Sequence, residues 1–435
     1  MPSIQAFRGL RYDPKHVGSL SNVIAPPYDV IGKDLQDQLY KAHPANVIRL
    51  ILNRDEPGDS DPDARYKRAA MFLKHWQSER ILIPEHEDAL YVYHQEFDWE
   101  GRHYVRQGFM ARVRIEEFGK GKIFPHEQTL AGPKADRLAL TKACKMNLSP
   151  VFGLYPDPTG EVNADLARAV IGATPLEATD HLGVLHRMWP VTNVGVINSV
   201  RRQLHDAPVF IADGHHRYET ANTYRNWLKE QGQYRGESDP SNFVLMMLVG
   251  MSDPGLAILP THRLVSDLPA LASGELANAI SSHLTVESMG TGDEAAQKTW
   301  LRIERDGGQN VFGFGTASDG GWLFARVTDA SPMQTLAPDQ SDAWRELGVS
   351  LLHKLVIDDL LKRRFPQSEP TFKYVHLLSE TTQALAAKSC QLACLVPPAR
   401  IEHVESIASK FEKMPPKSTY FYPKLLSGLV FNPLV

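Results

Sequence analysis

The spacing of apolar and polar positions predicts an alternation of strands and helices along the chain. Short apolar runs bounded by polar residues predict strands at 46–52, 150–155, 182–188, 209–212, 243–249, 256–259, 310–315 and 322–327. Apolar residues three and four positions apart predict helices at 61–79, 134–145, 193–204, 215–231, 271–284, 293–305 and 350–363. Two longer runs, 89–97 and 102–115, predict a β-hairpin with its turn at Asp98–Gly101. This order is typical of an α/β or α+β protein with mixed sheets.

The length of 435 residues allows two or three domains. We expect an N-terminal α/β region over 1–150 that contains the hairpin, a middle region over 151–265 and a C-terminal α/β region over 266–435. The polar loops 55–63 and 232–241 do not read as interdomain linkers, so one composite domain is the alternative.

Composition narrows the function classes. The 47 basic and 51 acidic side chains give a formal net charge of −4, which provides no basic footprint for nucleic acid and no polybasic membrane patch. The longest apolar run, 243–251, is too short to span a bilayer, and the N-terminus does not resemble a signal peptide. Three cysteines fit a reducing compartment. We therefore expect a cytoplasmic protein without nucleic-acid or membrane partners.

Common nucleotide and catalytic motifs are missing from the sequence. There is no phosphate loop ending in Gly-Lys-Ser/Thr, no three-glycine dinucleotide fingerprint after a strand, no nucleophile elbow and no paired cysteine zinc motif. A phosphate site in this chain would have to be built in a less common way.

One glycine joins a predicted strand to a predicted helix. Asp213 and Gly214 end the apolar run 208–212, and the helical pattern begins at His215. The free N–H groups at the start of a helix hold anions. With His216 and Arg217, this turn offers three donors and one carboxylate, which suits a phosphate-bearing ligand with or without a metal ion. The alternative is a capped helix whose arginine pairs with a surface acid.

A second polar segment begins at a proline-marked loop and runs over 124–137. His126 and Glu127 lie side by side, and Glu127 could act as a general base or a metal ligand. Lys134 and Arg137 are three residues apart, so they share a face of the predicted helix that could hold phosphate oxygens. The alternative is a solvated first turn with surface ion pairs.

Three further segments carry polar groups beside prolines. The loop 414–424 contains Lys417, Ser418, Thr419 and Lys424, which suit phosphate or carboxylate, and its alternative is an aromatic-anchored loop. The segments 25–31 and 259–263 place polar residues beside proline, and the first reads more readily as a structural turn.

Taken together, the segments 25–31, 126–137, 213–220, 260–263 and 414–424 resemble the family numbered 1015 among domains of unknown function, which is also labelled phosphoserine-aminotransferase-like. The resemblance covers essentially the whole chain. No lysine stands in a setting that identifies a pyridoxal-phosphate Schiff base, so the label does not indicate the activity.

The turn Asp213–Arg217 is also similar to the phosphate-binding motif of the ParB/sulfiredoxin superfamily. Its members bind ATP, ADP or CTP at a strand–turn–helix, and they include a free-serine kinase, a peroxiredoxin-repair enzyme and DNA-partition CTPases. The resemblance implies that the middle region contains such a nucleotide site, with the phosphates held by Gly214, His215, His216 and Arg217. His215 occupies the place where the repair branch needs cysteine, and the net charge does not favour the DNA-binding branch. The free-serine kinase is therefore the branch of the superfamily that remains for this chain.

We therefore expect a nucleotide-dependent phosphotransferase that acts on free L-serine or a similar hydroxyl metabolite, with ATP or ADP and Mg²⁺. Glu127 is the candidate base, His126 and Asp213 complete the catalytic set, and Asp213 would bind Mg²⁺ or position the acceptor. The candidate substrate-binding residues are Lys134, Arg137, Lys417, Ser418, Thr419 and Lys424. The alternatives are a non-catalytic nucleotide-binding regulatory protein and a hydrolase of a phosphorylated metabolite. A homodimer is left open.

Overall fold

The computed structural model describes residues 3–127 and 131–435. The strands are β1 (Ile4–Gln5), β2 (Leu10–Tyr12), β3 (Leu82–Pro84), β4 (Leu90–Trp99), β5 (Arg102–Arg114), β6 (Ile123–Pro125), β7 (Met146–Asn147), β8 (Val151–Tyr155), β9 (Leu176–Thr179), β10 (Leu185–Val191), β11 (Val209–Asp213), β12 (Phe243–Gly250), β13 (Ala257–Leu259), β14 (His262–Ser266), β15 (Leu284–Thr291), β16 (Val311–Thr316), β17 (Gly321–Val327), β18 (Thr371–Val375), β19 (Leu392–Leu395), β20 (Tyr420–Tyr422) and β21 (Asn432–Pro433).

The helices lie between these strands. They are α1 (Pro14–Val17), α2 (Lys33–Ala42), α3 (Ile48–Ile51), α4 (Ala64–Ser78), α5 (Ala131–Cys144), α6 (Glu161–Ala169), α7 (Val194–Gln203), α8 (His215–Glu230), α9 (Ser273–Ile280), α10 (Gly292–Asp306), α11 (Met333–Leu336), α12 (Asp342–Arg345), α13 (Gly348–Ser350), α14 (Lys362–Arg364), α15 (Leu378–Ala386) and α16 (Ile401–Ala408). A π-helix, Leu351–Leu361, joins α13 to α14. None of the helices in the described part of the chain is both long enough and apolar enough to cross a membrane.

The chain folds into two compact units. Unit 1 takes the described residues of the ranges 1–125, 129–257 and 423–435, and unit 2 takes those of 126–128 and 258–422. The last residues described therefore return to the unit in which the chain began.

A mixed nine-stranded sheet forms the centre of unit 1. Its order is β6-β11-β8-β12-β5-β4-β10-β9, and β1 also pairs with β5. The pairs β6–β11 and β8–β12 are parallel, and the other pairs are antiparallel. All eight residues of β12 and all five of β8 are buried, because both faces of these strands are covered. The predicted class, a mixed α/β protein, is confirmed.

The long hairpin of this sheet has a tighter turn than the sequence suggested. Trp99 pairs with Arg102, so only Glu100 and Gly101 form the turn. Both have positive φ, 49° and 75°, as a two-residue type I′ turn requires. Asp98 and Trp99 therefore extend β4 instead of belonging to the loop.

Unit 2 is built on a separate six-stranded sheet. Its order is β15-β17-β16-β19-β14-β18, and every pair is antiparallel. Helices α10 and α15 pack on this sheet through a core that includes Ala296, Ile303 and Leu385. Unit 2 thus has its own hydrophobic core.

The predicted strand at 46–52 is wrong, because Ile48–Ile51 forms one turn of α-helix. The side-chain carbonyl of Asn46 accepts from the N–H of Ile48, two residues on, over 2.9 Å, and this local bond favours a turn over a strand. Ile48, Leu50 and Ile51 are all buried, and a short run that is apolar on every side has no period that distinguishes a strand from a helix.

Candidate functional site

The turn between β11 and α8 has the strand–glycine–helix form expected from the sequence. Strand β11 ends at Asp213, Gly214 has a φ of 86°, and α8 begins at His215. A Cβ at Gly214 would stand 2.8 Å from Nε of Arg217 and 2.9 Å from its Cζ. Glycine is therefore required here twice, for the left-handed backbone and for the close approach of the guanidinium.

Asp213 is held between two cations. Its Oδ1 accepts from Nζ of Lys424 over 3.3 Å, and its Oδ2 accepts from Nη2 of Arg217 over 2.9 Å. Burial alone would raise the pKa of this carboxyl, but the charges of Lys424, Arg217 and His215 outweigh burial and hold the pKa well below its usual range. Asp213 is therefore an anion at neutral pH.

This arrangement does not fit the expectation that Asp213 binds Mg²⁺. Both of its carboxylate oxygens already accept from cations, whereas Mg²⁺ needs oxygen ligands that are free to face it. Within 3–127 and 131–435, no group of three or more His, Cys, Asp or Glu side chains is placed to hold a metal ion.

Arg217 is folded back onto the turn. Besides its bond to Asp213, its Nη1 donates to the carbonyl oxygen of Pro150. Arg217 thus pairs with an acid, as the alternative of a capped helix predicts. The acid, however, is the partly buried carboxylate of Asp213, four residues earlier, and not a surface group. His215 is buried at the first position of α8 and His216 is half-buried at the second.

The predicted cationic face of α5 has two different contacts. Nζ of Lys134 donates to Oε2 of Glu219 on α8 over 2.9 Å. The Arg137 guanidinium donates to the carbonyl oxygen of Ile51 over 2.7 Å, is paired with Asp136 and stacks on the ring of Tyr28 at 4.0 Å. The surface ion pairs of the alternative are thus replaced by partly buried ones, since only 10% of the Arg137 side chain is exposed.

A cleft in unit 1 brings together residues of three predicted segments. It encloses about 490 Å³ of empty space, including the part open to solvent. Tyr28, Arg137 and Arg217 line it, and they come from the segments 25–31, 126–137 and 213–220. Thr220 also lines this cleft, although it is not among the residues predicted from the sequence. The sequence did contain a signal for Thr220, because this residue follows Arg217 by three positions on one predicted helix, so the two side chains share a face.

In unit 2, His126 and Glu127 dock onto the loop 414–419. The backbone N–H of Met414 donates to the carbonyl oxygen of His126 over 2.8 Å, and Nε2 of His126 lies 2.9 Å from Oγ1 of Thr419. Oε1 of Glu127 accepts from the backbone N–H of Lys417 over 3.1 Å. Two predicted segments therefore meet here. Gln128, Thr129 and Leu130 of the first lie outside the described residues.

The segment 259–263 reaches the same loop of unit 2. Nη2 of Arg263 donates to the carbonyl oxygen of Lys417 over 2.9 Å. Burial lowers the pKa of this guanidinium to about 10. Ser418 donates its hydroxyl to the carbonyl oxygen of Pro415 over 2.6 Å, so it stabilises the loop from within.

The candidate residues thus form two groups, with Lys134, Arg137, Asp213–Arg217 and Lys424 in unit 1 and His126, Glu127 and Lys417–Thr419 in unit 2.

The profile of a protein family matches most of the chain. The family is described as "Protein of unknown function (DUF1015)", and the match covers residues 4–350. No curated protein sequence is significantly similar to the chain.

Several solved structures share low identity with the chain. A free serine kinase in complex with AMP has a TM-score of 0.32 and 14% identity, over 69% of this chain and 83% of that chain. A conserved hypothetical protein from Pyrococcus furiosus has a TM-score of 0.33 and 13% identity, over 71% and 91%. SbnI with a C-terminal truncation, from Staphylococcus aureus, has a TM-score of 0.35 and 12% identity, over 75% and 87%.

Proposed function

We propose that this chain, which belongs to the DUF1015 family, transfers a phosphoryl group from ATP or ADP to a small hydroxyl metabolite, with free L-serine as the favoured acceptor. The observation that carries the proposal is the turn at Gly214, where a helix starts beside two cations and one partly buried carboxylate. The choice of serine comes from the sequence resemblance and not from the geometry.

The turn has the charge and the donors that phosphates require. The first N–H groups of α8 have no partner within the helix, and the helix dipole adds partial positive charge at this end. Arg217 and Lys424 share the single carboxylate of Asp213, so these three side chains have a formal net charge of +1. Phosphate oxygens placed over Gly214 would face donors and positive charge, and the absent Cβ would let them approach the backbone.

Each residue of the turn has a separate task in this proposal. His215 and His216 provide the first N–H groups of α8 and their imidazoles to the phosphates. Arg217 and Lys424 contribute charge, and Asp213 holds both cations in place. We assign no step to Mg²⁺, because the contacts of Asp213 do not fit a metal ligand.

Glu127 is the proposed general base. The acceptor hydroxyl oxygen attacks the terminal phosphorus, the bond from phosphorus to the nucleotide oxygen breaks with its electron pair going to the nucleotide, and the hydroxyl proton passes to Glu127. The bond from the Lys417 N–H to Oε1 orients the carboxylate. His126 supports this loop through Thr419.

The direct test is product formation. The protein is incubated with ATP or with ADP and L-serine, with and without Mg²⁺, and phosphoserine is detected by ³¹P NMR. Nucleotide binding is measured separately by calorimetry. We expect phosphoserine with at least one nucleotide. The proposal is overturned if no nucleotide binds and no phosphorylated product forms across a panel of small hydroxyl compounds.

A further inference from the structure

Two arginines from different helices line the cleft in unit 1. Arg137 lies on α5 and Arg217 on α8, and both line the same 490 Å³ of empty space. Tyr28 stands against the Arg137 guanidinium with its ring 4.0 Å away, so it fixes the plane of that group.

Neither arginine has a carboxylate to itself. Arg217 shares Asp213 with Lys424, and Arg137 shares Asp136 with Arg65. No aspartate or glutamate is among the described residues that line the cleft. The cleft therefore favours an anion.

Thr220 gives independent support for a ligand in this place. It is only 3% exposed, it lines the cleft, and its Oγ1 has no hydrogen-bond partner among the described residues. Buried hydroxyls normally find a partner, because leaving one unpaired costs about 1–3 kcal/mol. A helical threonine can also bond to the carbonyl four residues earlier, as Thr223 of the same helix does to Glu219. Thr220 does not, so its hydroxyl is available to the cleft.

Both guanidinium groups also keep donors for a ligand. The contacts described for Arg137 use its Nε and one N–H each of Nη1 and Nη2, and those of Arg217 use one N–H each of Nη1 and Nη2. An arginine has five N–H donors in a planar fork that matches the geometry of carboxylate and phosphate. The remaining wall is largely apolar, with Leu140, Met146 and Val244.

We propose that this cleft binds the carboxylate or phosphate group of a small ligand between Arg137 and Arg217, with Thr220 as a further hydrogen-bond partner. This inference rests on the proposed function in one respect, since it makes the ligand the anionic acceptor of the phosphoryl transfer. An oxyanion in the cleft would satisfy the Thr220 hydroxyl and accept from both guanidinium groups.

The test uses Thr220→Val in the full chain. Valine has nearly the shape of threonine but lacks the hydroxyl, so the variant should fold with a Tm equal to or above that of the wild type, because an unpaired buried hydroxyl has been removed. The matched control is Thr223→Val, an exposed position on the same helix. Inorganic phosphate, L-serine and ADP are titrated by calorimetry into all three proteins, and glycerol serves as the uncharged probe.

The expected result is that phosphate or L-serine binds the wild type, and that Thr220→Val weakens this binding about tenfold while Thr223→Val does not. Binding of phosphate alone identifies a phosphate site, and binding of L-serine alone identifies a carboxylate site. The affinity for ADP should be the same in all three proteins.

Three outcomes overturn the inference. Neither phosphate nor L-serine binds the wild type, glycerol binds as tightly as they do, or Thr220→Val weakens the binding of ADP and not that of phosphate or L-serine. The two proposals can fail separately. Absence of phosphoserine with intact oxyanion binding contradicts only the phosphotransferase, whereas phosphoserine formation with an unchanged KM for L-serine in Thr220→Val contradicts only the cleft.

Discussion

Nη2 of Arg217 donates to Oδ2 of Asp213 over 2.9 Å, so a helix and the strand before it are joined across a single glycine. The guanidinium lies so close to Gly214 that no side chain fits between them. The geometry of the turn therefore depends on an ion pair and on the absence of one methyl group.

Gly214→Ala should destabilise the protein and weaken nucleotide binding. The new Cβ would meet the Arg217 guanidinium at 2.8 Å while the backbone keeps a φ of 86°. We expect a loss of about 2–3 kcal/mol in the free energy of unfolding, measured by urea denaturation. Gly232→Ala is the matched control, since Gly232 also has a positive φ, 66°, but open space around it. Its cost should be about 1 kcal/mol. Equal costs for the two variants would show that the contact with Arg217 does not matter.

Asp213→Asn should lower stability at neutral pH, and the difference should shrink in acid. The folded-state pKa of Asp213 lies below its unfolded value, so its contribution is complete above the unfolded pKa and is lost as the pH falls through the folded pKa. We expect a loss of about 3 kcal/mol at pH 7, because Lys424 and Arg217 would remain without their carboxylate. Urea denaturation of both proteins between pH 7 and pH 3 checks this. A difference that stays constant over this range contradicts the assignment.

Asp253 should show the opposite pH dependence. Burial raises the pKa of this carboxyl to about 6, against the opposing effects of the N–H groups of Gly255 and Gln107. A raised pKa stabilises the fold below the unfolded value and loses that contribution as the pH rises through 6. The ionised carboxylate is therefore a cost at pH 8 that Asp253→Asn removes. We expect the variant to gain about 2 kcal/mol relative to the wild type between pH 4 and pH 8. The same urea series measures it, and a relative loss over this range would contradict the raised pKa.

Glu127→Gln separates catalysis from binding. Glutamine keeps a carbonyl oxygen that can accept from the Lys417 N–H, so the loop should hold its conformation. Turnover should fall by about 10²–10⁴-fold, because the base is lost, while the affinity for nucleotide is unchanged. Glu117→Gln, which alters an ion pair with Lys120, is the control. If the wild type binds nucleotide without forming product, the regulatory alternative replaces the kinase.

Local signals allowed the turn at Gly214 to be predicted from the sequence. An apolar run, a glycine and a helical pattern follow one another there, and each depends only on nearby residues. The helical turn Ile48–Ile51 could not be predicted in this way, because its apolar residues are buried by the tertiary structure and their short run has no period of its own.

The partners of the candidate residues were beyond sequence reasoning for the same reason. Lys424 and Asp213 are 211 residues apart, and no pattern in the chain connects them. Lys417 and Lys424 are close in sequence and lie in one predicted segment, but they belong to different units. The unpaired hydroxyl of Thr220 is a property of its surroundings, which a sequence does not display.

The return of 423–435 to unit 1 has a consequence for the order of events at the ribosome. Unit 1 contains residues made before and after 258–422, which belong to unit 2. Asp213 is therefore synthesised long before Lys424 exists, and β7 is made even longer before its partner β21. Because synthesis proceeds from the N-terminus, the first unit to begin folding is the last to be completed.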